Sequence, residues 1–453
     1  MPLRLEIQRL SLGGEGIAHA EGRVIFIPYT APGDVIEAEI TETHARYARA
    51  QLIKVLQPSS DRTQPPCPYH FQLRTPYSAF RTGLFCGGCS WQHLTYAAQL
   101  EAKRRLVQET LERLGGLKGI SVKTALGMRD PWRYRNKVQE PVGWDGRRLI
   151  SGFYAQESHD IVPIEDCLVQ STLSVSLINR TRVLLEKFHV RAYDASRHQG
   201  WIRHLWVRTA GDKALLVLVT RSPDFAHEAQ ILEPLIREFP QLAGIHQNVN
   251  PARTNVILGR GWRKIYGADF IEERLGNLRF RLSPGSFFQV NSLQAKVLYD
   301  VAAAMAGRGD RLLDLYCGVG GSALWLADRF NEVGGVDEVP SAIENAEANA
   351  ELNGIENARF IAQPVESFLR NLGRSPGPLC VTLDPPRAGC APQVIRELIH
   401  LKPDRLVYVS CDPGTLARDL GLLVKGGYRV QDVQPVDLFP QTAHIETVVK
   451  LTR

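Results

Sequence analysis

With 453 residues, 44% of them hydrophobic and 23% charged, the chain has a globular composition and the length of two or three domains, which excludes disordered and fibrous classes. A net charge of +6 and a pI near 8.9 suit a polyanionic partner, but the excess is mild over this length. No apolar run approaches the length of a membrane span, and the start Met1-Pro-Leu-Arg-Leu-Glu6 lacks a signal peptide's apolar region, so a cytoplasmic protein with no membrane partner is expected.

Residues 2 to 57 alternate apolar and polar positions in short runs: Leu3 to Ile7, Arg23 to Ile27, Asp34 to Ile40 and Ala48 to Val55. Turns come from Gly13-Gly-Glu-Gly16 and Pro32-Gly33. The pattern predicts a small all-β barrel over residues 1–58. Leu12-Gly-Gly-Glu-Gly-Ile-Ala18 and Phe26-Ile-Pro-Tyr-Thr-Ala-Pro-Gly-Asp34 resemble a TRAM domain, an OB-like barrel found on RNA-modifying enzymes, and the resemblance implies RNA binding. Thr43-His-Ala-Arg-Tyr-Ala-Arg49 suits a phosphate-tracking, base-stacking strand and a solvated strand face equally well.

A proline-rich break from Gln57 to Pro66 precedes Cys67, then Cys86-Gly-Gly-Cys89, with Cys167 far downstream. Eight cysteines in a large chain without a secretory signal argue for thiols, a metal or catalysis rather than a disulfide framework. Two cysteines two residues apart can clasp one metal, and four sulfurs suit zinc or a [4Fe-4S] cluster; spacing does not choose between them. His70 is a poorer ligand for a cluster, which prefers sulfur.

Apolar residues at helical spacing from Tyr96 to Gly115 predict an amphipathic helix whose basic side faces solvent. The region to residue 282 mixes strands such as Leu215 to Thr220 with a helix near Glu228 to Phe239, completing a central α+β domain over 59–282. Within it, Trp132-Arg-Tyr-Arg-Asn-Lys137 interleaves cations with aromatics, so Arg133 and Arg135 are candidates to grip RNA phosphate; a surface strand with scattered charge is the alternative.

From residue 283 to 453 the pattern becomes that of a doubly wound, Rossmann-like α/β domain. Arg311-Leu-Leu-Asp-Leu-Tyr-Cys-Gly-Val-Gly-Gly321 is a strand, a glycine-rich turn and a helix start, and Asp337 ends the next strand. Such a turn lets the backbone approach a nucleoside, and the acid can hold its ribose. Leu379 to Leu383 runs into Asp384-Pro-Pro-Arg-Ala-Gly389. Leu406-Val-Tyr-Val-Ser410 runs into Cys411-Asp-Pro-Gly-Thr415 at a helix mouth, where free N–H groups and the helix dipole favour a thiolate. Asp437-Leu-Phe-Pro-Gln-Thr-Ala-His-Ile-Glu446 follows. In a parallel sheet these segments collect at the strands' carboxyl ends.

Together the three C-terminal segments resemble the RNA uracil-5 methyltransferase family. The resemblance implies an S-adenosylmethionine-dependent enzyme in which Cys411 adds to carbon 6 of uracil and Glu446 removes the proton from carbon 5. It places the methyl donor against Gln289, Tyr316, Gly318, Gly321, Asp337 and Asp384, and the target base against Phe287, with Asp384 orienting the uracil edge. Either Phe287 or Phe288 could equally be ordinary core. Two residues depart from the family pattern: Asp412 stands where Asn is more usual, which would raise the thiol's pKa unless paired, and Gly321 replaces an Asn of the donor site. Cys86-Gly-Gly-Cys-Ser-Trp-Gln-His93 resembles the family's rRNA branch, which implies a [4Fe-4S] cluster on Cys67, Cys86, Cys89 and Cys167. The spacing from Cys67 to Cys86 is wider than usual there. The same resemblance favours 23S rRNA as partner, with the tRNA T-loop as the closest alternative, and a monomer. The departures at Asp412 and Gly321 keep open a catalytically inactive RNA-binding protein.

Overall fold

The structure, a computed structural model, describes residues 2–72, 84–373 and 377–453, and the chain divides into two compact units. The first comprises residues 1–79, 89–131 and 293–453; the second comprises 80–88 and 132–292. No helix among the described residues is long and apolar enough to cross a membrane.

The N-terminal part of the first unit is a six-stranded sheet of Leu3–Glu6, Arg9–Leu10, Gly16–Ala20, Arg23–Ile27, Val35–Thr43 and Tyr47–Gln57. Its alternate residues Leu5, Ile25, Ile27, Ile36, Ala38, Ala48, Ala50 and Leu52 form one core, as a period of two requires when one face is buried. Asp34, fully buried, closes the following turn by accepting from the Ala31 and Ser59 N–H groups and from Arg62.

The same unit holds a seven-stranded sheet. Its strands are β1 (Gly309–Leu315), β2 (Phe330–Asp337), β3 (Ala358–Ala362), β4 (Leu379–Leu383), β5 (Arg405–Ser410), β6 (Arg429–Val436) and β7 (Glu446–Thr452). The spatial order is β3-β2-β1-β4-β5-β7-β6; the first five are parallel, and β7 runs antiparallel to both β5 and β6. Near-continuous apolar strands such as Leu379-Cys-Val-Thr-Leu383, buried throughout, are what a parallel sheet covered on both faces demands. Helices Pro392–Leu401 and Pro413–Lys425 each carry proline in the first turn, where a missing N–H costs nothing, and bury Val394, Ile395, Leu398, Leu416, Leu420 and Leu423 in the core beneath the sheet.

The predicted amphipathic helix spans Tyr96–Arg113, capped by the Thr95 side chain accepting from the Ala98 N–H. It packs on the helix Pro413–Lys425 where two glycines let the backbones approach: a Cβ on Gly115 would lie 2.9 Å from the Ala417 carbonyl, and one on Gly421 equally close to that of Gly115. The expectation that its basic side is solvated fails at Lys103. That residue is fully buried and ion-paired to Asp437 at 2.6 Å, because its face of the helix meets the loop leading into β7.

The second unit is built on another seven-stranded sheet, with Lys137–Trp144, Ile202–Ala210, Lys213–Thr220 and Leu242–Val249 at its centre and helices Thr172–Lys187 and Glu228–Glu238 packed on one face. A separate hairpin, Ile271–Leu275 with Leu278–Leu282, precedes the segment containing Phe287 and Gln289.

Candidate active site

The antiparallel strand β7 makes the site. Ser410 of β5 pairs with Thr447, so continuing the register by one residue sets Cys411 opposite Glu446. Strand β4 lies on the other side of β5 and ends at Asp384, whose N–H donates to the Leu315 carbonyl at the end of β1. One edge of the sheet thus gathers Cys411, Glu446, Asp384 and the turn after β1, as the open edge of a parallel sheet does for ligands.

Cys411 sits between β5 and the helix Pro413–Lys425, and is half-buried. The residue before it, Ser410, donates to the Asp412 carbonyl and accepts from the Asp412 N–H, which fixes the turn. Asp412 caps the helix by accepting from the Thr415 N–H at 2.8 Å. Its carboxylate is therefore paired, and the groups that burden the thiol are others. Burial pushes the Cys411 thiol up to about 11, with Glu446 and Asp384 adding to the rise and Arg387 opposing it. The expectation that the helix mouth favours the thiolate is corrected here: burial beside two acids outweighs the dipole.

Those acids respond to the same crowding. Burial and the nearness of Asp384 hold Glu446 well above the carboxylate range, with Arg387 pulling the other way. Burial and Asp314 push Asp384 up to about 7, and Asp314, on β1, is itself raised to about 7 by burial. Like charges this close favour protonation when the site is empty. Arg387, the cation of Asp-Pro-Pro-Arg, is the group poised to favour the charged forms of Glu446 and Cys411. Its loop is bound to the helix of Cys411: Thr415 donates to the Arg387 carbonyl, and Arg418 donates to those of Ala388 and Cys390. Gly389 closes that loop at φ 73°, with Arg418 and Asp419 within 2.7 Å of where a Cβ would stand.

The donor-side residues follow β1. Tyr316 has φ 64° and is half-buried with its hydroxyl against the Cys390 thiol. Gly318 and Gly320 also take positive φ, and Asp337 ties the turn by accepting from the Gly318 N–H at 3.0 Å and from the Val339 N–H at 2.9 Å. Gly321 begins the helix Gly321–Leu326. A nucleoside donor fits this edge: the space where a Cβ on Gly318 would stand is open, and Asp314 leaves one buried carboxyl oxygen, Oδ2, without a partner.

Helix Tyr96–Arg113 holds the Glu446 approach. Asp437 accepts from Lys103 at 2.6 Å and from Tyr96 at 2.9 Å, while Gln99 accepts from the Gln441 N–H and donates to its side chain. Gln441 has φ 70°, a strained value that these bonds hold. His444 is exposed with its ring edge-on to Phe439 at 5.9 Å. Lys103→Met should cost about 3–5 kcal/mol by leaving the Asp437 carboxylate buried without its cation. Urea unfolding checks this, and an unchanged midpoint would contradict it.

Phe287, Gln289, Arg133 and Arg135 belong to the second unit. There Phe288 is core, 5.3 Å from Phe280, and Phe287 is 63% exposed with the Lys137 ammonium 5.6 Å above its ring, which decides between the two phenylalanines. Gln289 is buried; its segment is held by Asn136, which donates to the Gln289 carbonyl and to Ser292. Arg133 is engaged by Asp166 through two bonds of 2.6 and 2.7 Å, so it offers less to a phosphate than its neighbours suggested. Arg135 is half-buried and donates to the Lys137 carbonyl.

Cys67 and Cys167 are buried, and Cys86 and Cys89 are half-buried. In the second unit the Gly88 N–H donates to the Cys86 sulfur at 3.4 Å, and a Cβ on Gly87 would press on the Tyr154 carbonyl at 3.0 Å. Among the described residues, no three histidine, cysteine, aspartate or glutamate side chains come together in a group that could hold a metal ion.

Comparison with known proteins accords with this site. Residues 3–53 match the TRAM domain, and residues 245–375 and 379–453 match the tRNA (uracil-5-)-methyltransferase family. An uncharacterized RNA methyltransferase of Halalkalibacterium halodurans is 38% identical over 454 residues, covering 99% of this chain and 96% of its own. The chain belongs to the RNA uracil-5 methyltransferase family. A Bacillus cereus relative, also an uncharacterized RNA methyltransferase, is 39% identical over 98% of this chain and 95% of its own. Among solved structures, the Pyrococcus abyssi tRNA (uracil-54, C5)-methyltransferase in complex with S-adenosyl-L-homocysteine has a TM-score of 0.79 and 29% identity, covering 99% of this chain and all of that one. The chain is accordingly an S-adenosylmethionine-dependent RNA methyltransferase with an N-terminal TRAM domain and a Rossmann-like catalytic core. Sequence reasoning missed Arg387, Asp314, Lys103 and Gln99 as site residues. Arg387 and Asp314 lie inside motifs already singled out, whereas the helical Lys103 and Gln99 carry no local signal.

Proposed function

We propose that this methyltransferase modifies carbon 5 of a uridine in structured RNA through a covalent adduct on Cys411, with Glu446 as the base. The observation that carries the reading is the β5–β7 register that faces Cys411 with Glu446, beside Asp384. The Cys411 thiolate adds to carbon 6 of the ring, forming the S–C6 bond and moving the C5=C6 pair onto carbon 5 and the 4-oxygen as an enolate. S-adenosylmethionine supplies the methyl group, which carbon 5 takes as the sulfonium's carbon–sulfur bond breaks. The Glu446 carboxylate then removes the proton from carbon 5, the C5=C6 bond re-forms, and the S–C6 pair returns to Cys411. Arg387 favours the charged forms of both groups, and Asp384 orients the uracil edge. Phe287, exposed and beneath a cation, stacks on the target base, while Gln289, Tyr316, Gly318, Gly321 and Asp337 bind the donor, with Arg133 and Arg135 on the RNA. The target must leave its stack to enter, which favours a loop or bulge.

We propose 23S rRNA as the substrate, a reading supported by the Cys-Gly-Gly-Cys segment, with Cys67, Cys86, Cys89 and Cys167 holding a [4Fe-4S] cluster in a structural role. The Cys86-Gly-Gly-Cys89 spacing and the N–H donated to Cys86 support the cluster; no catalytic step passes through it. Iron and acid-labile sulfide in protein purified without oxygen test it, and their absence would reject it. A second reading, the tRNA T-loop, is favoured by the likeness to the Pyrococcus abyssi enzyme, whose substrate is tRNA. Mapping 5-methyluridine by mass spectrometry in rRNA and tRNA from a deletion strain decides: loss from neither pool rejects the function, and loss from tRNA alone rejects 23S rRNA.

The thiol's position also fixes a pH dependence. A group raised to about 11 is protonated at neutral pH, and its thiolate population grows tenfold for each unit of pH below that value. kcat/KM for RNA should therefore rise through neutrality to at least pH 9. A profile that falls above pH 7 would place the rate-limiting ionisation elsewhere.

A further inference from the structure

Tyr299 lies on the helix Ser292–Ala306, outside every motif of the sequence. Its ring is 7% exposed and packs 6.0 Å from that of Trp325, and its hydroxyl stands 2.5 Å from where a Cβ on Gly321 would be. Gly321 has an ordinary helical φ, so the hydroxyl, and not backbone strain, is what a side chain there would meet. Burial raises the Tyr299 hydroxyl above its ordinary range, and Asp384, Asp314 and Glu446 add to the rise. Yet Tyr299 takes part in no hydrogen bond among the described residues, and the neighbouring Asp314 Oδ2 is buried without a partner as well. The Asp314 carboxyl is held by Thr382 through Oδ1, so its Oδ2, on the strand leading into the glycine turn, and the Tyr299 hydroxyl, at the end of that turn, are two polar atoms left for a polar molecule received there.

The chemistry of that corner selects the molecule. Burial holds the carboxyls of Asp314, Asp384 and Glu446 toward their protonated forms, a cation would favour their charged forms, and uracil has none. The amino-acid end of the methyl donor carries an ammonium, which can donate to Asp314, to Asp384 and to the Tyr299 oxygen. Beside it is a carboxylate to which the Tyr299 O–H can donate.

We propose that Tyr299 is a donor-binding residue whose hydroxyl hydrogen-bonds the amino-acid end of S-adenosylmethionine, in the space a side chain on Gly321 would otherwise fill. The inference rests on the reading of the Gly318–Gly321 edge as the donor site.

Calorimetric titration of the full chain with S-adenosylhomocysteine, and with 5′-methylthioadenosine, which lacks the amino-acid end, tests it. Tyr299→Phe keeps the ring and should weaken S-adenosylhomocysteine about 10- to 100-fold while leaving 5′-methylthioadenosine within twofold. Gly321→Ala should weaken S-adenosylhomocysteine as well, and add less when combined with Tyr299→Phe, since the closest overlap, with the hydroxyl, is then gone. Unchanged S-adenosylhomocysteine affinity in Tyr299→Phe, or an equal loss for both ligands, would overturn the assignment. Failure of the unaltered protein to bind S-adenosylhomocysteine would instead overturn the reading of the donor site itself.

Discussion

Cys411→Ala should reduce methyl transfer to RNA by at least about 10⁴-fold while S-adenosylhomocysteine still binds. Carbon 5 of uracil is too weak a nucleophile to take a methyl group unaided, and only electron density pushed from carbon 6 makes it one. The other thiols of residues 293–453 are less accessible: Cys317, Cys380 and Cys390 are buried, with Cys380 and Cys390 pushed up to about 12. The substitution spares the fold because Cys411 is half-buried and the helix start is held by its neighbours, through Ser410 and the Asp412 cap. Radiolabelled donor and transcribed RNA give the measurement. Transfer within tenfold of the unaltered enzyme would mean that the sulfur does not attack the ring.

Glu446→Gln separates the two halves of the reaction. The amide can still be accommodated at the start of β7, but it cannot take the proton from carbon 5, so methylation proceeds and release does not. A covalent RNA–protein species should accumulate, migrating as a slower band on a denaturing gel, with turnover lowered about 10²- to 10⁴-fold. Removing one of the acids facing Cys411 also lowers the thiol toward its ordinary range, so the adduct should form faster than in the unaltered enzyme. The double variant Cys411→Ala/Glu446→Gln should show no such band. A band that persists there would assign the bond to another residue, and its absence from Glu446→Gln alone would remove Glu446 from the role of base.

Much of this site was legible because each of its segments is local. Asp384, Cys411 and the Gly318–Gly321 turn each end a strand whose apolar run is visible in the chain, and strand ends on one edge of a parallel sheet must meet. Phe287 and Phe288 were not separable in the same way. Adjacent aromatics in an irregular segment carry no periodicity, and only packing showed that Phe288 joins Phe280 while Phe287 stays exposed. The thiol's ionisation was misjudged for a related reason. The helix dipole can be read from the order of strand, turn and helix, but the burial and the two acids that overcome it come from residues 27 before and 35 after it.

By itself the sequence determined the chemistry available to this protein: a thiol at a strand end, a glycine turn after β1, and acids at the ends of β4 and the start of β7. Tertiary structure alone decided how those groups affect one another. The reversed direction of β7 sets Glu446 against Cys411, and the helix Tyr96–Arg113 uses the buried Lys103 and Gln99 to hold the loop that delivers it. Tyr299 enters the same corner from a helix with no marked residue. Electrostatic coupling and hydrogen bonding fall off over a few ångströms, and spacing along the chain says nothing about such distances between elements until the sheet has formed.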